Sequence, residues 1–175
     1  MKLLILGHGR HGKDTVAGML KEEFGLTHLS SSEASATVFV FDALKDKYSY
    51  SSVDECFEDR LNHRAEWYDL ICEYNAEDQA RLAKEIVERA DIYVGMRSLT
   101  ELNACIKADV FDCIIGVWDP RKPLEPEDSM SIDVGNYSQV LIINDMGLDE
   151  LREKVINSFT IIKLFGCESF KKLVV

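Results

Sequence analysis

The sequence has no long apolar run, no C-x-x-C pair, only three prolines and too few bases to balance its acids. Each shortage excludes something. No stretch approaches the roughly 20 apolar residues of a membrane span, and the opening Leu3 to Leu6 run is too short for a secretory signal, so a cytoplasmic protein is expected. Five cysteines (Cys56, Cys72, Cys105, Cys113 and Cys167) show no zinc or redox spacing, and their odd number would strand one thiol in any disulfide framework. Reduced core thiols are the expectation. With 20 Lys and Arg against 31 Asp and Glu, the formal charge is -11, so the surface as a whole repels nucleic-acid polymers and anionic membranes. An anionic ligand then needs a local cluster of bases.

What the 175 residues do contain fits one compact α/β domain: 46% are hydrophobic, enough for a core of useful size. Short apolar runs at Leu3 to Leu6, Ile92 to Val94, Cys113 to Val117 and Val140 to Ile143 read as buried strands of a parallel sheet. Between them, Val16, Met19, Leu20 and Phe24 fall at helical spacing, as do Leu82, Ile86, Val87 and Ala90, and Leu148, Leu151 and Val155. The alternation predicts a doubly wound sheet of about five strands. Ser51 to Asn75 reads as one long helix within an insertion spanning about 33–75, with Phe57, Leu61, Ala65, Tyr68 and Cys72 on one side. Val38 to Asp42 reads either as a strand ending in aspartate or as part of a helix, and the helix is preferred. The Pro- and acid-rich segment 119–133 is expected to be an exposed loop. The domain is taken to span 1–158, and the 159–175 tail is read as either an added edge strand or a disordered end.

The chemistry concentrates in Gly7-His8-Gly9-Arg10-His11-Gly12-Lys13, which fits G-x-x-x-x-G-K and lies between a predicted strand and a predicted helix. Such a loop turns backbone N–H groups inward around a phosphate, the helix start adds its positive end, and Lys13 supplies a point charge. Asp14 stands where Ser or Thr usually follows the lysine, with Thr15 next. Three readings of Mg²⁺ contact stay open: Asp14 holds it through water, Thr15 takes the hydroxyl role, or Asp14 only favours the helix start.

Other candidates fall beyond predicted strand ends, where ligands of open parallel sheets collect: Ser30 to Ser32, Arg97, Arg121 and Asn144. Phosphoryl transfer needs arginines on the donor and acceptor sides, and Arg97 is the acceptor-side candidate. Arg60 and Arg64, one turn apart on the predicted helix, either share an acceptor phosphate or form a solvated face. Trp67 and His63 either stack on a base or pack. Arg121 and Lys122 are the bases of an expected lid, Arg10 is a further candidate phosphate contact, and His8 and His11 are read as plain loop residues.

Gly12-Lys13-Asp14-Thr15 resembles the G-K-D-T of the deoxynucleoside monophosphate kinases of tailed bacteriophages. Ile92-Tyr93-Val94-Gly95-Met96-Arg97, with Glu101, resembles that family's acceptor-side strand, arginine and helix-borne glutamate, and Val140 to Asp145 with Gly147, Leu148 and Leu151 its last strand and adenine-side turn. The likeness covers roughly residues 1–158. It implies the P-loop NTP hydrolase fold and an ATP- and Mg²⁺-dependent kinase in which Lys13, Arg97 and Arg121 act on the phosphates. It further implies that Gly7, Gly9, Arg10, Gly12, Lys13, Asp14, Thr15 and Asn144 hold ATP. Ser31, Arg60, Arg64, Trp67 and Arg97 would hold the monophosphate. A phage origin would put the protein in the host cytoplasm; a homodimer is left open. Gly95 stands where the family often has an acid, leaving no clear Walker B aspartate. A dephospho-coenzyme A or phosphomevalonate type kinase and a nucleotide-binding or ATPase module without transfer are the alternatives.

Overall fold

The computed structural model describes residues 1–127, 129–167 and 173–175. The described residues form six strands: β1 (Leu3–Leu6), β2 (His28–Ser30), β3 (Ile92–Val94), β4 (Cys113–Trp118), β5 (Val140–Ile143) and β6 (Leu173–Val174). They make one sheet in the order β2-β3-β1-β4-β5-β6, and every pairing is parallel. The chain leaves β1 outward to β2, returns to β3 beside β1, and then crosses to β4 on the other side. The crevice at the carboxyl end of β1 is therefore the point where the winding reverses and ligands of such sheets collect.

Period-two alternation sends Leu3 and Ile5 to one face and Leu4 and Leu6 to the other, and all four are fully buried. On the first face lie α1 (Lys13–Phe24) and α9 (Leu148–Phe165), which bury Val16, Met19, Leu20, Leu151, Val155 and Phe159. On the second lie α6 (Arg81–Arg89) and α7 (Leu99–Lys107), with Leu82, Ile86, Leu102 and Cys105 buried, and the short α8 (Val134–Tyr137) packs there through Val134. The strand and helix expectations at these places hold. The tail supplies the sixth strand: α9 continues to Phe165 and Leu173–Val174 pairs with β5.

Between β2 and β3 lie α2 (Ser31–Ser35), a π-helical run (Ala36–Val40), α3 (Phe41–Tyr48), α4 (Val53–Asp59) and α5 (Arg64–Tyr74). Ser30 and Glu33 form a reciprocal capping box that starts α2 directly at the strand end. Val38 to Asp42 is thus helical. The expected single helix from Ser51 to Asn75 is instead two helices. Asp59 explains the break: its carboxylate takes Asn62 Nδ2 at 2.6 Å, His63 Nε2 at 2.9 Å and the Tyr50 hydroxyl at 2.7 Å, a local polar cluster that competes with continued helix. The expected apolar side fails with it, since Leu61 and Tyr68 are exposed while Ala36, Val40, Leu44, Cys56 and Trp67 form a small separate core.

The cysteine expectation needs correction as well. Cys113 and Cys167, 54 residues apart, are joined by a disulfide, because α9 packing across the sheet returns its end to the start of β4. Cys56, Cys72 and Cys105 are free. Among the described residues, no helix is long and apolar enough to cross a membrane.

Candidate active site

The Gly7–Gly12 loop leaves β1 and ends on Gly12, the residue before α1, at φ 101°. A side chain there would need a left-handed backbone and would place its Cβ 2.7 Å from Asn144 Nδ2. Asn144, just past β5, donates from that nitrogen to the His11 carbonyl at 3.1 Å, so a neighbouring strand end braces the loop. Gly7 is packed against the Val117 carbonyl, and Arg10 points to solvent at φ 66°.

Lys13, the first residue of α1, has its Nζ 3.3 Å from Asp14 Oδ2. Gly95, at φ 94° beyond β3, continues the sheet by donating to the Ile5 carbonyl. With no side chain of its own it lets Lys13 Cε and Ser31 Oγ come within 3.6 and 3.9 Å of where a Cβ would stand. Those are ordinary contact distances, so the positive φ, more than crowding, is what disfavours a side chain at position 95. Asp14 and Thr15 are both exposed in the first turn of α1. The described residues contain no group of three His, Cys, Asp or Glu side chains able to hold a metal by themselves. Mg²⁺ needs only one or two protein oxygens when phosphates and water complete its shell, and Asp14 or Thr15 fits that demand.

The 119–127 segment is laid onto the loop by groups that sequence reasoning passed over. His11 is fully buried; its Nδ1 accepts the Asp119 amide at 3.1 Å, which leaves Nε2 to donate to the Pro123 carbonyl at 3.2 Å. His8 Nδ1 accepts the Glu125 amide at 3.1 Å. Burial, with His11 next in importance, holds the His8 pKa below its usual value. Both histidines are loop residues, as expected, and each also clips the following segment to the Gly7–Gly12 loop. The signal was two imidazoles inside a glycine turn whose backbone is already committed.

Arg97 lies beyond β3, donating from Nη1 to Glu125 Oε1 at 2.8 Å and to the Ser129 carbonyl at 3.3 Å. Glu125 Oε2 accepts the Gly9 amide at 2.6 Å. Glu125 is a further residue that the sequence did not single out, and nothing in its Pro-bounded surroundings marked it. Arg121 is pinned by its own segment and by the end of β5. Its Nε and Nη2 grip Asp119 at 2.8 and 3.0 Å, and Nη2 also donates to the Asn144 carbonyl at 2.9 Å. The guanidinium draws the Asp119 pKa down to about 2. Arg121 thus sits at the β4 and β5 ends beside Asn144.

The inserted helices do not deliver their expected residues together. Arg60 follows the end of α4, stacked 3.9 Å over the Phe57 ring with Nη1 on the Phe57 carbonyl at 2.8 Å, whereas Arg64 is exposed at the start of α5. The helix break that separates them removes the one-turn relationship. Trp67 is 5% exposed inside the small core, so it packs and presents no stacking face. His63 is committed to Asp59 and to the Tyr48 ring, 3.9 Å away. Glu101 is buried in α7, accepts the Tyr93 hydroxyl at 3.0 Å, and has its pKa pushed by burial up to about 7.

No known protein family matches the sequence, and no curated protein does. The fold is similar to that of shikimate kinase from Aquifex aeolicus, at 11% identity and a TM-score of 0.48 over 95% of this chain and 100% of that one. A sugar kinase from Janibacter sp. HTCC2649 aligns at 13% identity and a TM-score of 0.47, covering 91% of this chain and 94% of that one.

Proposed function

We propose that the chain is an ATP-dependent kinase that transfers the γ-phosphate to a small acceptor, specifically a (deoxy)nucleoside monophosphate. One observation carries the reading: Gly7 to Lys13 leaves the central strand at the winding reversal, with Gly12 in the left-handed conformation and Lys13 opening a buried-faced helix. That combination of a glycine turn, a helix start and a lysine forms a phosphate cradle in this reading. In it the loop amides and Lys13 hold the β- and γ-phosphates and neutralise the charge that develops in transfer. In this reading Arg97, three residues beyond β3, serves the acceptor phosphate, and Ser31, which opens α2 at the β2 end, serves the same side. Arg121 and Asn144 belong to the donor side. Asp14 or Thr15 would hold Mg²⁺, which would supply charge neutralisation to the phosphates. The G-K-D-T and Gly-Met-Arg resemblances support the monophosphate as acceptor.

A coupled ADP-release assay with ATP, Mg²⁺ and a panel of nucleoside monophosphates, alongside dephospho-coenzyme A and phosphomevalonate, tests this. Acceptor-dependent ADP release that peaks on one monophosphate is the expected result. Release that ignores every acceptor would make the chain an ATPase. Lys13→Ala should lose on the order of a hundredfold in rate, and a fully active variant would remove the cradle assignment.

A further inference from the structure

The proposed cradle is already in contact with an anion, and the anion is the protein's own. One oxygen of Glu125 takes the Gly9 amide at 2.6 Å and the other takes Arg97 Nη1 at 2.8 Å. The backbone N–H of Glu125 is fixed by His8, so the side chain is aimed into the loop from a tethered position. Burial pushes the Glu125 pKa up, but the Arg97 and Gly9 hydrogen bonds together outweigh it and leave the pKa below its usual value, so the carboxylate stays ionised. These are short, charge-assisted bonds of the kind a phosphate oxygen would make.

Gly9 belongs to the donor cradle and Arg97 to the acceptor side, and one carboxylate spans both. An amide N–H aimed at Glu125 cannot serve a phosphate oxygen at the same time, and a guanidinium edge paired with Glu125 is blocked on that edge. We propose that Glu125 is a resident phosphate surrogate that couples the two half-sites: nucleotide entering the cradle displaces it from Gly9, the displacement releases Arg97, and the acceptor binds second. The inference rests on reading Gly7 to Lys13 as a phosphate site. Coupling of this kind is reciprocal, so an anion on Arg97 also helps nucleotide to bind. While Glu125 occupies the loop, apparent nucleotide affinity is reduced by the fraction of molecules in which it has let go.

Calorimetric titration of the full chain tests this, using wild type, Glu125→Gln and Glu125→Ala with a non-hydrolysable ATP analogue and Mg²⁺. Inorganic phosphate serves as the acceptor probe, and Arg97→Ala marks where it binds. Both Glu125 variants should bind the analogue about tenfold tighter. In wild type, phosphate should bind about tenfold tighter once the analogue is present, a dependence that Glu125→Gln abolishes and that is undetectable in Arg97→Ala. Equal analogue affinity in all three proteins overturns the surrogate role and leaves the kinase reading standing. Weaker binding in the variants also overturns it, making Glu125 a ligand of the bound nucleotide. No binding to any of the three overturns the cradle together with this inference.

Discussion

Asn144 Nδ2 stands 2.7 Å from the place where a side chain on Gly12 would begin, while it donates to the carbonyl of His11 one residue earlier. The brace and the left-handed φ of 101° make position 12 intolerant for two separable reasons. Gly12→Ala should destabilise the fold by about 1–3 kcal/mol and weaken nucleotide binding at least tenfold, since αL strain of this order is usual for a non-glycine residue. Asn144→Ala removes both the collision and the brace, so Gly12→Ala should cost less in the Asn144→Ala background than in wild type, where only the strain then remains. Denaturant titration of wild type, the two single variants and the double measures it; an equal cost in both backgrounds would show that the collision is harmless.

Arg97→Ala should impair use of the monophosphate far more than ATP binding. Arg97→Lys should be impaired too, because the lysine keeps the charge and loses the planar fork. Steady-state kinetics in each substrate decide it. A variant with unchanged monophosphate KM and kcat but weakened ATP affinity would move Arg97 to the donor side.

Glu101 should make the fold less stable in alkali. Its pKa in the folded protein, about 7 against an ordinary 4.5, means that the folded state binds the proton more tightly than the unfolded one. Stability therefore falls as pH rises from about 4.5 and levels off above about 7, a loss on the order of 3 kcal/mol. Glu101→Gln keeps an oxygen for the Tyr93 hydroxyl and removes the charge. Its melting temperature should exceed wild type at pH 8 by about 5 °C or more and match it near pH 4.5. Parallel pH dependences for the two proteins would contradict the assignment.

His8 should fasten the 119–127 segment in a proton-sensitive way. The groups facing its ring are His11, Glu125, Arg97 and Asp133, and burial with the neighbouring His11 holds its pKa below 6.5. The unfolded state then takes the proton first, so stability drops as pH falls below about 6.5, and a protonated Nδ1 can no longer accept the Glu125 amide. After correction for intrinsic rates, amide exchange at Glu125 should accelerate in acid for wild type. In His8→Phe it should be fast at every pH. A slow Glu125 amide in His8→Phe would show that the tether lies elsewhere.

Much of the molecule was legible in the chain. The four apolar runs became β1, β3, β4 and β5 because a strand buried on both faces needs apolar residues at every position. The glycine turn from Gly7 to Gly12 was legible because its glycine spacing encodes a backbone shape that few other residues permit. The inserted helices were less so: the pattern from Ser51 to Asn75 runs on in helical period, and the side chain of Asp59 decides where it breaks.

What sequence alone determined, then, is whatever rests on local periodicity and backbone geometry: the alternation of strand and helix, the glycine turn from Gly7 to Lys13, and the strand ends that precede Arg97 and Asn144. Tertiary structure decided everything that depends on which distant atoms meet. It buried Trp67, joined Cys113 to Cys167, brought Arg121 onto the Asn144 carbonyl, and set Glu125 between Gly9 and Arg97. The reason is physical: a hydrogen bond or ion pair between residues 28 or 116 positions apart leaves no trace in the spacing of either, because only the packed sheet fixes the distance between them.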